Sequence, residues 1–133
     1  KTSHVIPGLI AKMHQAKLEN KSSVKLWGDG SPMREFMHVD DLAEAIIFSL
    51  NTKLSDTLYN VGSGQEVTIK ELANTIAQVT GYSGNVLWDI EKPNGTPRKL
   101  MDSTKFLNLG YKPQVDLFEG IKKTYEFYKT IEK

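Results

Sequence analysis

Residues 27–41 read WGDGSPMREFMHVDD, and the remainder of the chain frames this stretch. The run Val24 to Trp27 alternates apolar and polar residues like a short strand. It ends in Gly28-Asp29-Gly30, a turn that needs the positive φ angles glycine adopts at little cost. Arg34 stands between Met33 and Phe36, where an unpaired guanidinium is costly, so it needs an anionic partner. A carboxylate of the protein meets that need, and so does a pyrophosphate. Trp27 at a strand end serves a core about as often as a binding surface, and the cation nearby favours binding. An aromatic face, a fixed guanidinium and a tight turn between them are the parts of a pocket for a planar base and its diphosphate.

The flanking segments read as alternating short strands and helices. Phe36 to Val39 is a second extended run. Asp41 with Glu44 forms a capping pair for a helix from Leu42 to Asn51, so Asp40 and Asp41 are cap and turn residues and His38 orients the helix start. Upstream, Pro7 suits a first helical turn, and Leu9, Ile10, Met13 and Leu18 recur at helical spacing, which predicts a helix from Pro7 to Glu19. Lys12, His14 and Lys17 fall away from that stripe, on a solvated face.

Downstream, Leu58 to Val61 reads as an apolar strand. The following Gly62-Ser63-Gly64 is a turn rather than a phosphate loop, because the next helix starts only after Val67 and no lysine stands in the P-loop position. Thr68 and Glu71 form a capping box for a helix with Ile69, Leu72, Ala73, Ile76 and Ala77 on its apolar side, closed by Gly81. Val86 to Asp89 is another short strand. The stretch KPNGTPRK, Lys92 to Lys99, excludes helix and interior strand. It is either an exposed connector or an arm that brings Arg98 and Lys99 onto a diphosphate. Ser103 to Leu109 predicts a short helix closed by Gly110. Asp116 with Glu119 caps a last helix whose buried stripe is Leu117, Phe118, Ile121, Tyr125 and Tyr128.

Composition narrows the function. The 133 residues, 39% hydrophobic and 25% charged, suit one ordinary globular domain. A formal net charge of +1 gives no global field for nucleic acid or an anionic membrane, so an anion site has to be local. No cysteine is present, which excludes disulfides, thiolate metal sites and a cysteine nucleophile in this segment. Three histidines at wide spacing make no metal constellation. No apolar run is long enough to cross a bilayer, and KTSHVIPG resembles neither a signal peptide nor an initiator. The expectation is a carboxy-terminal piece of a larger cytoplasmic protein.

Taken together, SHVIPGLIAKMH, VKLWGDGSPMREFMHVDDLAEAI, LYNVGSGQEVTIKELA and KPNGTPRKLMDSTKFLNLGY resemble the carboxy-terminal part of the GDP-L-fucose synthase family. These are extended short-chain dehydrogenase/reductases that epimerise and reduce GDP-4-keto-6-deoxy-mannose with NADPH. The REFMHVDDLAEAI and NVGSG segments are shared across nucleotide-sugar epimerases. The combination of SHVIP, WGDGSPMREF and GTPRK narrows the resemblance to this family.

The resemblance implies an α/β fold, the substrate-binding portion of an extended Rossmann-type reductase with short strands and about five helices. Residues 1–133 then form a nucleotide-sugar binding domain that includes elements completing an upstream Rossmann domain. By the same resemblance His4 lies against NADP, most of which is bound by the missing amino-terminal part, while Lys12, Trp27 and Arg34 contact the GDP-sugar. Asn94 stands where the family commonly has aspartate, and Arg98 and Lys99 are further cationic candidates. The family's catalytic serine, tyrosine and lysine lie upstream of the matching region, so no catalytic residue is assigned here. YEFYK at 125–129 is a coincidental echo of Tyr-x-x-x-Lys. The isolated chain is expected to be inactive and the full-length enzyme to be a homodimer. Another nucleotide-sugar epimerase or dehydratase, or a binding module with no catalytic half, remains the rival.

Overall fold

In strand β1 (Ser23–Trp27), Val24 and Leu26 are buried while Lys25 and Trp27 face outward, and most of the fold is built against the inward side. The computed structural model describes residues 4–131. Helix α1 (Val5–Leu18) lays Leu9, Ile10, Met13 and Ala16 onto β1. Helices α3 (Ile69–Thr80) and α5 (Leu117–Ile131) complete this core with Leu72, Ala73, Ile76, Ile121 and Tyr125. Strand β4 (Asn85–Asp89) runs parallel to β1, pairing Ser23 with Asn85 and Trp27 with Asp89.

A second sheet, in the order β3-β2-β5, lies beyond the Gly28–Gly30 turn. Its middle strand β2 (Met33–Glu35) is antiparallel to β3 (Glu66–Thr68) and parallel to β5 (Arg98–Lys99). A smaller apolar cluster joins Ala45 of helix α2 (Val39–Asn51), Phe106 of helix α4 (Thr104–Leu107) and Tyr111.

Several elements differ from the sequence reading. Helix α2 starts at Val39 rather than Leu42, because the His38 Nδ1 accepts a hydrogen bond from the Asp40 N–H at 3.2 Å and caps the helix earlier. Asp41 is therefore not the cap. It is buried, and its two carboxylate oxygens accept from the backbone N–H groups of Gln114 and Val115 at 2.9 and 3.0 Å. The extended run at Phe36–Val39 gives way to β2 three residues earlier, where both flanking strands offer partners.

Leu58–Val61 forms no ladder with any described residue. Tyr59 and Val61 pack instead into the smaller cluster, and Leu58 is exposed. Leu18 and Phe118 are exposed rather than part of their stripes. His14 is not solvated: its Nδ1 lies 2.9 Å from the Tyr125 hydroxyl, and the ring packs edge-on to Tyr125 and Tyr128. Lys12 and Lys17 are exposed as read, Lys17 donating to the Thr80 carbonyl at 2.9 Å.

Other local signals hold as read. Thr68 and Glu71 exchange both bonds of a capping box, Gly81 closes α3 in the left-handed region, and Asp116 accepts from the Glu119 N–H at 2.9 Å. The Gly62-Ser63-Gly64 turn wraps a carboxylate of the protein. Glu35 Oε1 accepts from the Gly64 N–H at 2.6 Å, and a Cβ at Gly62 would come within 2.5 Å of the same oxygen. The place an anion would take in a phosphate loop is thus filled from within.

Candidate nucleotide site

The alternation that buries Val24 and Leu26 leaves the Trp27 indole 66% exposed at the end of β1. The chain then turns through Gly28 at φ +78°, where any side chain would overlap the Asn94 carboxamide. That close approach is used: the Asn94 side-chain oxygen accepts from the Asp29 N–H at 2.8 Å. Asp29 in turn accepts from the Ser31 N–H at 2.8 Å. The loop 92–97 is thereby folded back over the turn. Its Lys92 Nζ sits 5.9 Å from the centre of the Trp27 ring, a cation–π distance.

Arg34 lies beneath the same loop. Its Nη1 donates to the Met33 carbonyl at 2.7 Å, and a Cβ on Gly95 would lie 3.9 Å from its Nη2. Among the described residues its half-buried guanidinium makes no ion pair, so no internal carboxylate takes the role left open by the sequence. Lys12 reaches across from α1 to donate to the Lys25 carbonyl, two residues from Trp27 and so about 7 Å away along the strand.

Lys99 is exposed and stands opposite Arg34 in the β2–β5 pairing. Arg98 is placed otherwise: its Nε and Nη2 donate to the two oxygens of Glu66 at 2.8 and 2.6 Å. It also lines a cavity of about 420 Å³ with Gly64, Asp102 and Ser103. His4 is exposed at the mouth of α1, where its side chain makes no capping bond. It lies eight residues, or about 12 Å of helix, before Lys12.

The structure thus brings Trp27, Arg34, Asn94 and Lys99 to one region with Lys12 at its border, and sets Arg98 and His4 apart. Lys92, over the indole, was not singled out by sequence reasoning, although it belongs to the same cationic loop. Two carboxyls anchor the frame. The side chain and N–H of Ser31, with a smaller contribution from Asn94, hold the Asp29 carboxyl below its usual value. The hydrogen-bonded Arg98 guanidinium does the same to Glu66, and Glu66 raises Arg98.

Both carboxyls have folded values below their unfolded ones. Their stabilisation is therefore complete above the unfolded value, near pH 4, and is lost as pH falls through the lowered folded values. The protection of amide hydrogens in residues 92–99, taken relative to their intrinsic exchange rates, is expected to stay flat from about pH 7 to 5 and to fall below about pH 4. Loosening already at pH 6 would contradict it.

The chain has relatives among known proteins. The profile of the NAD dependent epimerase/dehydratase family matches residues 1–62. A probable GDP-L-fucose synthase of Oryza sativa subsp. japonica is 54% identical over 126 residues, which cover 95% of this chain and 38% of that protein. The GDP-L-fucose synthase of Escherichia coli is 45% identical over an alignment that covers 95% of this chain and 42% of that protein. The chain is thus similar to the carboxy-terminal part of GDP-L-fucose synthases.

The solved GDP-L-fucose synthetase of Naegleria fowleri superposes with a TM-score of 0.87 at 29% identity, over 99% of this chain and 41% of that one. The same protein has also been solved with NADP bound. The fold is therefore that of a Rossmann-type epimerase/reductase, with this chain spanning about two fifths of the length of the curated relatives it matches.

Proposed function

We propose that this chain is the nucleotide-sugar-holding portion of an NADPH-dependent GDP-4-keto-6-deoxy-D-mannose epimerase/reductase that makes GDP-L-fucose. The observation that supports this best is the pairing of an exposed indole at Trp27 with the half-buried Arg34, which has no carboxylate partner among the described residues. In this reading Trp27 offers its face to the guanine, while Arg34 and Lys99 neutralise the diphosphate and Lys12 extends the cationic rim. Asn94 accepts from the Asp29 N–H through its oxygen and steadies the Asp29 carboxyl through its NH2, so in this reading it holds the loop that borders the nucleotide. These groups position; none is suited to take a proton from the sugar.

NADP would supply the hydride. The imidazole of His4, exposed and unspent on capping, fits a contact with it, the remainder of the cofactor falling to the amino-terminal part.

Residues 1–133 also carry elements that complete an upstream Rossmann domain. Support comes from α2, which buries Ala45 on one side and exposes Leu42, Ile46, Ile47 and Leu50 on the other, continued by Leu54 and Leu58. A run of exposed apolar side chains opposite a buried one is the mark of a helix built to be covered on both sides. The length of the relatives supplies the cover in the form of an amino-terminal part. The whole protein as a cytoplasmic homodimer follows from the family resemblance. The described helices are compatible with that location, none being long and apolar enough to cross a membrane.

Calorimetric titration of the protein with GDP and with UDP tests the reading. GDP is expected to bind at least tenfold more tightly, and the 133 residues alone are expected to turn over no substrate. Equal affinity or a preference for UDP would move the chain to another nucleotide-sugar enzyme. Reductase turnover by these residues alone would refute the division of labour.

A further inference from the structure

Arg98 and Lys99 are neighbours in sequence and opposites in the sheet. Strand β2 pairs Met33 with Arg98 and Arg34 with Lys99 on one side, and Arg34 with Val67 and Glu35 with Glu66 on the other. Side chains alternate along a strand, and paired residues of adjacent strands share a face. Arg34, Val67 and Lys99 therefore form one face, and Met33, Glu35, Glu66 and Arg98 the other.

On that second face the Arg98 guanidinium reaches diagonally over β2 and forks onto both oxygens of Glu66. The neighbouring acid, Glu35, instead turns its Oε1 to the Gly64 N–H. Strand β5 has only two residues, with a backbone bond from the Met33 N–H to the Pro97 carbonyl at 2.8 Å at its entry. A slip of one residue would turn Lys99 away from Arg34 and bring Arg98 to the nucleotide face.

We infer that the Arg98–Glu66 pair is a positioning brace that fixes the register of β5 and so selects Lys99, not Arg98, as the cation set beside Arg34 on the nucleotide face. Arg98 acts through Lys99 and does not itself touch the diphosphate. The inference rests on the nucleotide reading for its consequence, but the brace itself can be tested without a ligand.

The test is a double-mutant cycle in the protein with Glu66→Gln, Arg98→Gln and both together, plus Arg98→Lys. GDP affinity and amide exchange at Lys99 and Leu100 are measured. Each single change is expected to weaken GDP binding roughly threefold to fivefold and to speed exchange at Lys99 by a similar factor, with the double variant no worse than either. Melting temperature should barely move, since the pair is largely solvent-facing on the arginine side.

Arg98→Lys should behave like Arg98→Gln, because an ammonium cannot make the two-pronged bond. A direct phosphate ligand predicts the reverse. Glu66→Gln would then free the guanidinium and leave affinity unchanged or improved, Arg98→Gln alone would cost tenfold or more, and lysine would rescue it; that pattern overturns the brace. If the unaltered protein binds no GDP, the nucleotide reading fails by itself, and exchange at Lys99 still decides the brace: unchanged exchange in both single variants refutes it.

Discussion

Arg34→Gln is expected to weaken GDP binding roughly 30-fold to 150-fold, the largest loss of any single change at the site. A charge-assisted hydrogen bond contributes about 1.5–3 kcal/mol, and each 1.4 kcal/mol is a factor of ten in affinity. The half-buried setting under the 92–97 loop places Arg34 at the upper end of that range. Among the described residues its guanidinium makes one hydrogen bond, to the Met33 carbonyl, so the fold loses little when it is removed.

Arg34→Lys should recover only part of the loss, since lysine presents a point charge where a planar fork fits two phosphate oxygens. The loss should also depend on phosphates. It is expected to be large for GDP and absent for guanosine, whereas Trp27→Ala should weaken both by a similar factor, because the indole meets the base. Calorimetric titrations with GDP, GMP and guanosine separate the two. An Arg34→Gln variant that lost guanosine and GDP equally would show that the guanidinium shapes the pocket instead of binding the diphosphate.

What the sequence made legible follows the range of the interactions involved. Helix α3 was readable because its signals are local: a capping box at Thr68 and Glu71, apolar residues at helical spacing, and a left-handed Gly81. The same holds for the Asp116 cap of α5. Strands β3 and β5, three and two residues long, went unread because nothing in so short a run marks it as a strand until a partner lies alongside. The converse error fell on Leu58–Val61, which has the composition of a strand and no ladder among the described residues.

At the site, the conflict between a cation at Arg34 and its apolar neighbours was visible in one dimension, as was the turn that presents Trp27. The choice between Arg98 and Lys99 was not. It depends on register, and register is a property of the sheet. His38 and Asp41 divide in the same way. The histidine acts on a residue two positions away, whereas the aspartate answers to backbone more than seventy positions later.

That long reach makes Asp41→Ala the substitution with the largest expected cost to stability, about 3–5 kcal/mol. Asp41 is 2% exposed and accepts two backbone bonds from Gln114 and Val115. Alanine would leave both N–H groups unpaired in a part-buried setting, and each lost bond to a charged group is worth about 1.5–3 kcal/mol. The two N–H groups lie just before α5, which supplies Ile121 and Tyr125 to the main core. A loosened 112–116 segment therefore weakens the docking of a core helix as well as its own turn.

Had Asp41 been an N-cap, the same change would cost only about 1 kcal/mol. For a chain of this size the difference is readable as a fall in melting temperature of roughly 10–20 °C against a few degrees. Asp41→Asn should fall between, since one amide oxygen can still accept while its NH2 opposes the second donor. Asp40→Ala is the matched control: Asp40 is exposed, its carboxylate 3.4 Å from the Lys123 Nζ, and the variant should stay within about 0.5 kcal/mol of the unaltered protein. If Asp41→Ala melted within a few degrees of Asp40→Ala, the buried carboxylate would not be what fastens α2 to the entrance of α5.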